Sequence, residues 1–223
     1  MRKLTCLLFL MSILQSLNAQ VNSDDALKKL TEGNKRFVAG KSIRPNQTPE
    51  KIKELAAGQK PFAVIVGCSD SRVPNEIVFD QGLGDLFIVR TAGQVSSYAS
   101  WGSMEFATTA LGAKLIVVLG HTKCGAVSAA CVVPDVPGHI VTLINAIKPA
   151  AEIARDMEGD LVDNAVRVNV AKQVEQLKGL EPVLSKKTKS GEIKIVGAVY
   201  HLETGKVELL PENYLNKISK EKK

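Results

Sequence analysis

Two short apolar runs rich in β-branched residues, each ending in glycine, constrain this chain most: Ala63-Val64-Ile65-Val66-Gly67 and Leu115-Ile116-Val117-Val118-Leu119-Gly120. Unbroken runs of this length, with no polar alternation, read as strands buried on both faces, the signature of a parallel sheet covered by helices. Each run empties into a chemically loaded cluster. Cys68-Ser69-Asp70-Ser71-Arg72 follows the first, and His121-Thr122-Lys123-Cys124-Gly125 follows the second. Both clusters thus leave the carboxyl ends of strands, where open α/β sheets place their ligands. Two thiolates, one imidazole and one carboxylate form a tetrahedral donor set that suits zinc. The pairing points to a metalloenzyme.

The remaining segments fit around these strands. A helix is expected from near Asp25, capped by Ser23 or Asp24, with Ala26, Leu27, Leu30, Phe37 and Val38 as its apolar stripe. Residues 44–49 read as a loop, and a short helix from Glu50 to Ala57 is closed by Gly58. The run Asp85–Arg90 reads as a second strand, and Met104–Leu111 as a helix stopped by Gly112. Another helix starts after Cys124, and Pro134, Pro137 and Gly138 then make a loop. Helices are expected over Ile140–Met157, with Pro149 a point of interruption, and over Leu161–Leu180. Ile193–Tyr200 reads as a strand, and Lys206–Leu210 as an antiparallel edge strand. The expected class is α/β: a central, mostly parallel β-sheet flanked by helices, with an antiparallel edge strand.

The chain has 223 residues, enough for one domain with a substantial core, taken here as residues 20–223. Its formal charge of +6 is scattered, with a local excess only at Lys217, Lys220, Lys222 and Lys223. Aromatics make up only 4%, so neither stacking platforms nor a basic recognition motif argues for nucleic acid as a partner. Residues 1–19 have the layout of a secretory signal peptide. Arg2 and Lys3 precede an apolar run from Leu4 to Leu14, and small and polar residues lead to Ala19. That run is too short to span a membrane. The expectation is an exported, periplasmic protein that begins at Gln20 and has no membrane span.

Loss of Cys6 with the leader would leave Cys68, Cys124 and Cys131, an odd number that does not suit a disulfide framework. Metal ligation accounts for Cys68 and Cys124, and Cys131, among alanines and valines, reads as a buried inert thiol. Arg72, two residues beyond Asp70, can offer its carboxylate a two-pronged hydrogen bond. If it draws Asp70 off the metal, a coordination position opens for water, whose pKa zinc lowers toward ~7.

With these motifs in view, the chain resembles the β-class carbonic anhydrases of exported bacterial type. The resemblance rests on Cys68-Ser-Asp-Ser-Arg72 with Val73-Pro74, and on His121-x-x-Cys124-Gly125. It extends through Phe79–Gly82, Asp85–Arg90 and Gly102–Phe106, and resumes around Gly197. It implies one Zn2+ per chain held by Cys68, His121 and Cys124, with Asp70 either the fourth ligand or, paired with Arg72, an acceptor that orients zinc-bound hydroxide. The implied reaction is the reversible hydration of carbon dioxide to bicarbonate and a proton, with an Asp70–Arg72 dyad gating the metal. It also implies Gln59 as a substrate-binding residue and Phe87 as a wall of the carbon dioxide site. A homodimer or dimer of dimers is implied, with active sites at the subunit boundary and the Ala26–Val38 helix reaching across the partner.

Phe106 stands where many members carry tyrosine, so no hydroxyl is available there. His139 and His201 read as surface or structural rather than as proton shuttles, and Trp101 does not match the tryptophan of the allosteric bicarbonate type. Rival readings are an enzyme for carbon disulfide or carbonyl sulfide on the same scaffold, and a zinc-stabilised binding protein without catalysis.

Overall fold

The computed structural model describes residues 21–132 and 135–221. The expected signal peptide, Cys6 and Pro134 lie outside the described residues. The helices are α1 Ser23–Val38, α2 Pro49–Leu55, α3 Asn75–Val78, α4 Tyr98–Thr109, α5 Gly125–Val132, α6 Ile140–Ala154, α7 Leu161–Lys178, α8 Leu184–Lys189 and α9 Glu212–Lys220. The strands are β1 Ala63–Cys68, β2 Leu86–Thr91, β3 Leu115–His121, β4 Lys194–Tyr200 and β5 Val207–Leu209. They form one sheet in the order β2-β1-β3-β4-β5. The first four strands are parallel and β5 pairs antiparallel with β4, as the residue pattern predicts.

Alternation along the strands divides the core into two layers. Val64, Val66, Ile116 and Val118 face α5, α6 and α7, while Ala63, Ile65, Leu115 and Val117 face α1 and α3. Every residue of β1 and β3 is buried, which is why neither strand carries polar alternation. Gly120 lets α7 close on the sheet, since a Cβ there would lie 2.6 Å from Val170 Cγ2. β1 connects to β2 on one side and β3 leads to β4 on the other, so the strand order reverses between β1 and β3. That crevice is the topological switch point where such sheets bind ligands.

Several boundaries depart from expectation for local reasons. α1 is capped by Asn22, whose side chain accepts from the N–H groups of Asp24 and Asp25 at 3.0 and 2.8 Å. α4 starts at Tyr98 through a reciprocal Ser97–Ser100 capping box, six residues before the apolar pattern suggests. α6 runs unbroken past Pro149, because Ile144, Ile147, Ala150 and Ala151 bury its face on either side of the proline. α3, α8 and α9 are short helices without a strong sequence signal.

α1 packs on its own chain's sheet through Ala26, Leu30, Gly33 and Asn34. Buried Asn34 anchors it, donating through Nδ2 to the carbonyls of Val78 and Gly205 and accepting at Oδ1 from the N–H of Val207. A second anchor is Asp80, whose side chain is 1% exposed. It accepts from Arg36 Nε at 2.6 Å and from the N–H groups of Ile43 and Arg44 at 3.0 and 2.9 Å. Burial pushes its pKa up, but Arg36 and the two N–H groups outweigh that and hold it below the usual carboxylate value. Asp80→Ala would strand these three donors. It is expected to destabilise the protein by about 3 kcal/mol, because Arg36 remains partly solvated. The unfolding free energy from urea denaturation, midpoint multiplied by m-value, checks it, and a change under about 1 kcal/mol would contradict the anchoring role.

Candidate metal centre

Cys68 is the last residue of β1 and His121 the last of β3, so two adjacent central strands deliver both side chains to the same end of the sheet. The turn after β3 returns Cys124 to the crevice just before α5 begins. The donor atoms of Cys68, His121 and Cys124 all lie within 4.8 Å of one another, and all three residues are buried.

Each donor is prepared for a cation. His121 Nδ1 lies 2.9 Å from the Thr122 carbonyl oxygen. A carbonyl only accepts, so Nδ1 carries the proton and Nε2 is left as a lone-pair donor. That Nε2 is buried without a hydrogen-bond partner. An orphaned imidazole nitrogen facing two thiols is what a metal site requires, and the residues fit zinc.

The Cys68 thiol is pulled well below its usual range, first by its hydrogen bond with Cys124, then by His121 and the N–H groups of Asp70 and Gly93. Cys124 is pushed up by the same shared hydrogen bond and by burial. The shared hydrogen bond thus favours the thiolate at Cys68 over Cys124, and metal binding requires both sulfurs deprotonated.

The loop after β1 is braced from the side. Arg90, near the end of β2, donates from Nε to the Cys68 carbonyl and from Nη2 to the Asp70 carbonyl, both at 2.8 Å. Asp70 faces Arg72, which donates from Nε to Oδ1 at 2.9 Å, from Nη2 to Oδ2 at 2.7 Å, and from its backbone N–H to Oδ1 at 2.9 Å. These contacts, the Arg72 side chain foremost, hold the Asp70 carboxyl well below the usual carboxylate range. Asp70 Oδ2 comes within 3.8 Å of His121 Nε2, yet Asp70 stands outside the three-residue donor group.

The other sequence candidates fall elsewhere. Gln59 is exposed in the turn before β1, and Phe87 is half-buried near the start of β2. Phe87 pairs in register with Val64, and Cys68 with Thr91. Both residues therefore lie at the amino end of the sheet, about 13 Å or more along the strands from the donor group of the same chain. Cys131 is buried on α5 outside the donor group, and burial pushes its thiol up. His139 is exposed at the start of α6, and His201 is bonded to Glu208, which Arg167 also grips with two hydrogen bonds. Trp101 Nε1 donates to Ser96 Oγ. Phe106 is exposed on α4.

Arg90 and Gly93 went unassigned from sequence alone. Arg90 could have been found, since an arginine ending a strand parallel to β1 must sit beside Cys68. An apolar groove between α1 and β5, lined by Leu27, Leu30, Val38 and Leu209, contains none of the donors.

A mostly parallel sheet with a buried Cys2His donor set at its switch point has the form of an α/β protein fitted to hold one zinc ion. Residues 63–207 match the carbonic anhydrase family model, and the chain belongs to that family. It is 44% identical over 188 residues to carbonic anhydrase 2 of Mycobacterium tuberculosis, covering 82% of this chain and 91% of the relative. The carbonic anhydrase of Mycolicibacterium smegmatis matches with the same identity and coverage. Among solved structures, the β-carbonic anhydrase CafA of Aspergillus fumigatus superposes with a TM-score of 0.66 at 28% identity, over 87% of this chain and 95% of that one. The enzyme is thus a β-class carbonic anhydrase, zinc-dependent in its hydration of carbon dioxide, and the Cys68–His121–Cys124 group fits its one metal ion.

Proposed function

We propose that Cys68, His121 and Cys124 are the zinc ligands, and that the Asp70–Arg72 pair controls access to the fourth ligand position. The observation that carries this reading is the three-point grip of Arg72 on Asp70 beside a closed set of three donors. A zinc ion with three protein ligands acts as a Lewis acid and supplies a nucleophile from water near neutral pH. The chain's own residues do the rest. Arg72 holds the Asp70 carboxylate in place beside the three donors, where the ionised carboxylate would accept a hydrogen bond from a water bound with the metal. Arg90 keeps the loop from swinging away.

Gln59 and Phe87 are proposed to serve the site of a partner subunit. Both sit at the amino end of β1 and β2, and β2 is the sheet's edge, half-buried along its length with Leu86, Phe87, Ile88 and Val89 in sequence. An apolar edge of this kind, without a proline or lysine to blunt it, suits pairing with a second copy. The layout of residues 1–19 supports export to the periplasm, with the mature chain starting at Gln20.

Stopped-flow hydration of carbon dioxide by the chain from Gln20 tests the reading, with zinc and molar mass measured on the same sample. Rapid turnover with about one zinc per chain and a dimeric or tetrameric mass is expected. Full zinc loading without hydration from pH 7 to 9 would overturn it.

A further inference from the structure

The three ligands do not by themselves explain what holds the Cys68 sulfur in place. Gly93, in the 3-10 turn Ala92–Gln94 after β2, donates its N–H to Cys68 Sγ at 3.3 Å. The turn can do this because Gly93 has φ +67, and a Cβ there would lie 2.6 Å from Ile147 Cδ1 and 3.3 Å from Ala126 Cβ. On its other side, the Gly93 carbonyl accepts from Asn169 Nδ2 at 3.0 Å. Asn169 lies on α7, is 1% exposed, and shares its helix face with the buried Ala165, Val166 and Gln173. A buried amide is costly unless its hydrogen bond has a use. The chain of contacts runs from α7 through one residue, Gly93, whose C=O and N–H lie in successive peptide units, to the Cys68 sulfur.

We infer that Asn169 is a positioning residue for the metal centre: by holding the Gly93 carbonyl, it fixes the Ala92–Gln94 turn that presents the Gly93 N–H to the Cys68 sulfur. A hydrogen bond to a coordinating thiolate draws off part of its charge and fixes its direction, as outer contacts commonly do for metal ligands. Asn169 touches neither substrate nor metal, and α7 packs against β3 and β4 through other side chains, so its polar head is free for this task. The inference rests on Cys68 serving as a ligand, and its test separates the two.

Wild-type protein, Asn169→Leu, Asn169→Ala and Leu177→Ala would be loaded with Co2+ in place of zinc. Leu177 is buried on the same helix two turns away, and truncating it loosens α7 without touching the Gly93 turn. The thiolate-to-cobalt charge-transfer band and the loss of cobalt to a chelator are then compared. We expect a displaced band in both Asn169 variants and metal loss about tenfold faster, with Leu177→Ala keeping the wild-type band. Asn169→Ala carries the test should the bulkier leucine not fold. A wild-type band in a folded Asn169 variant would overturn the inference while leaving Cys68 as ligand, and so would an equal displacement in Leu177→Ala. Absence of any thiolate band in wild-type protein would overturn the ligand assignment and the inference together.

Discussion

Cys124→Ser is expected to lower carbon dioxide hydration at least about a thousandfold at neutral pH, because water without the metal returns from a pKa near 7 toward 15.7. A serine hydroxyl does not ionise in a buried site and is a poor zinc ligand, so two protein donors remain where three are needed. The fold should survive. The sheet's core consists of apolar contacts on both faces of β1 and β3, and Cys124 lies in a turn at their rim. The expected outcome is therefore an intact circular dichroism spectrum, zinc well below one per chain, and turnover close to the uncatalysed rate. A zinc-loaded variant with undiminished turnover would remove Cys124 from the ligand set.

The second large effect is expected at Arg72. Arg72→Ala should cut turnover by about a hundredfold while zinc stays at about one per chain, comparable to the loss of one preorganised polar contact at a reaction centre. The Asp70 carboxyl is held below its usual value, so its pairing contributes stability above about pH 4, which is lost as pH falls through the depressed value. Near neutral pH the carboxylate is charged with or without its partner. Removing Arg72 therefore frees an anion beside the metal rather than neutralising one. The Arg72 side chain is about half exposed, so the pair adds little to global stability, and the melting temperature should change far less than turnover. Recovery of turnover in Asp70→Ala/Arg72→Ala would identify the freed carboxylate as the group that closes the metal. Unchanged turnover in Arg72→Ala would sink the gating role.

Those residues were legible in the sequence because their signals are local. A buried strand announces itself by an unbroken β-branched run, and a donor cluster at its end needs no distant information. β1, β3, the antiparallel edge strand and the Cys68, His121 and Cys124 trio all follow from that reasoning. Residues whose roles depend on long-range packing were less accessible. Asn169 is one polar residue in the valine-rich face of α7, and only the folded sheet brings Gly93 beneath it. The path of α6 through Pro149 and the burial of α1 on its own sheet were set by tertiary packing that outweighs local propensity. Gln59 and Phe87 came from the resemblance alone, and within one chain both lie at the amino end of the sheet, so the role proposed for them belongs to the packing of two copies.

The tautomer of His121 is secured by the carbonyl of Thr122, a main-chain atom. No codon change at position 122 deletes a peptide oxygen, so this part of the centre is insulated from point mutation in a way that the Asn169 amide is not. Exchange of the Thr122 side chain would cost its hydrogen bonds with Leu202 and Glu203, but not the carbonyl that decides which imidazole nitrogen meets the metal. A single-base change at Asn169 can cut the other support. Two supports of one ion thus differ in heritable fragility: the one at position 122 belongs to the backbone that every residue shares, the one at position 169 to a single side chain.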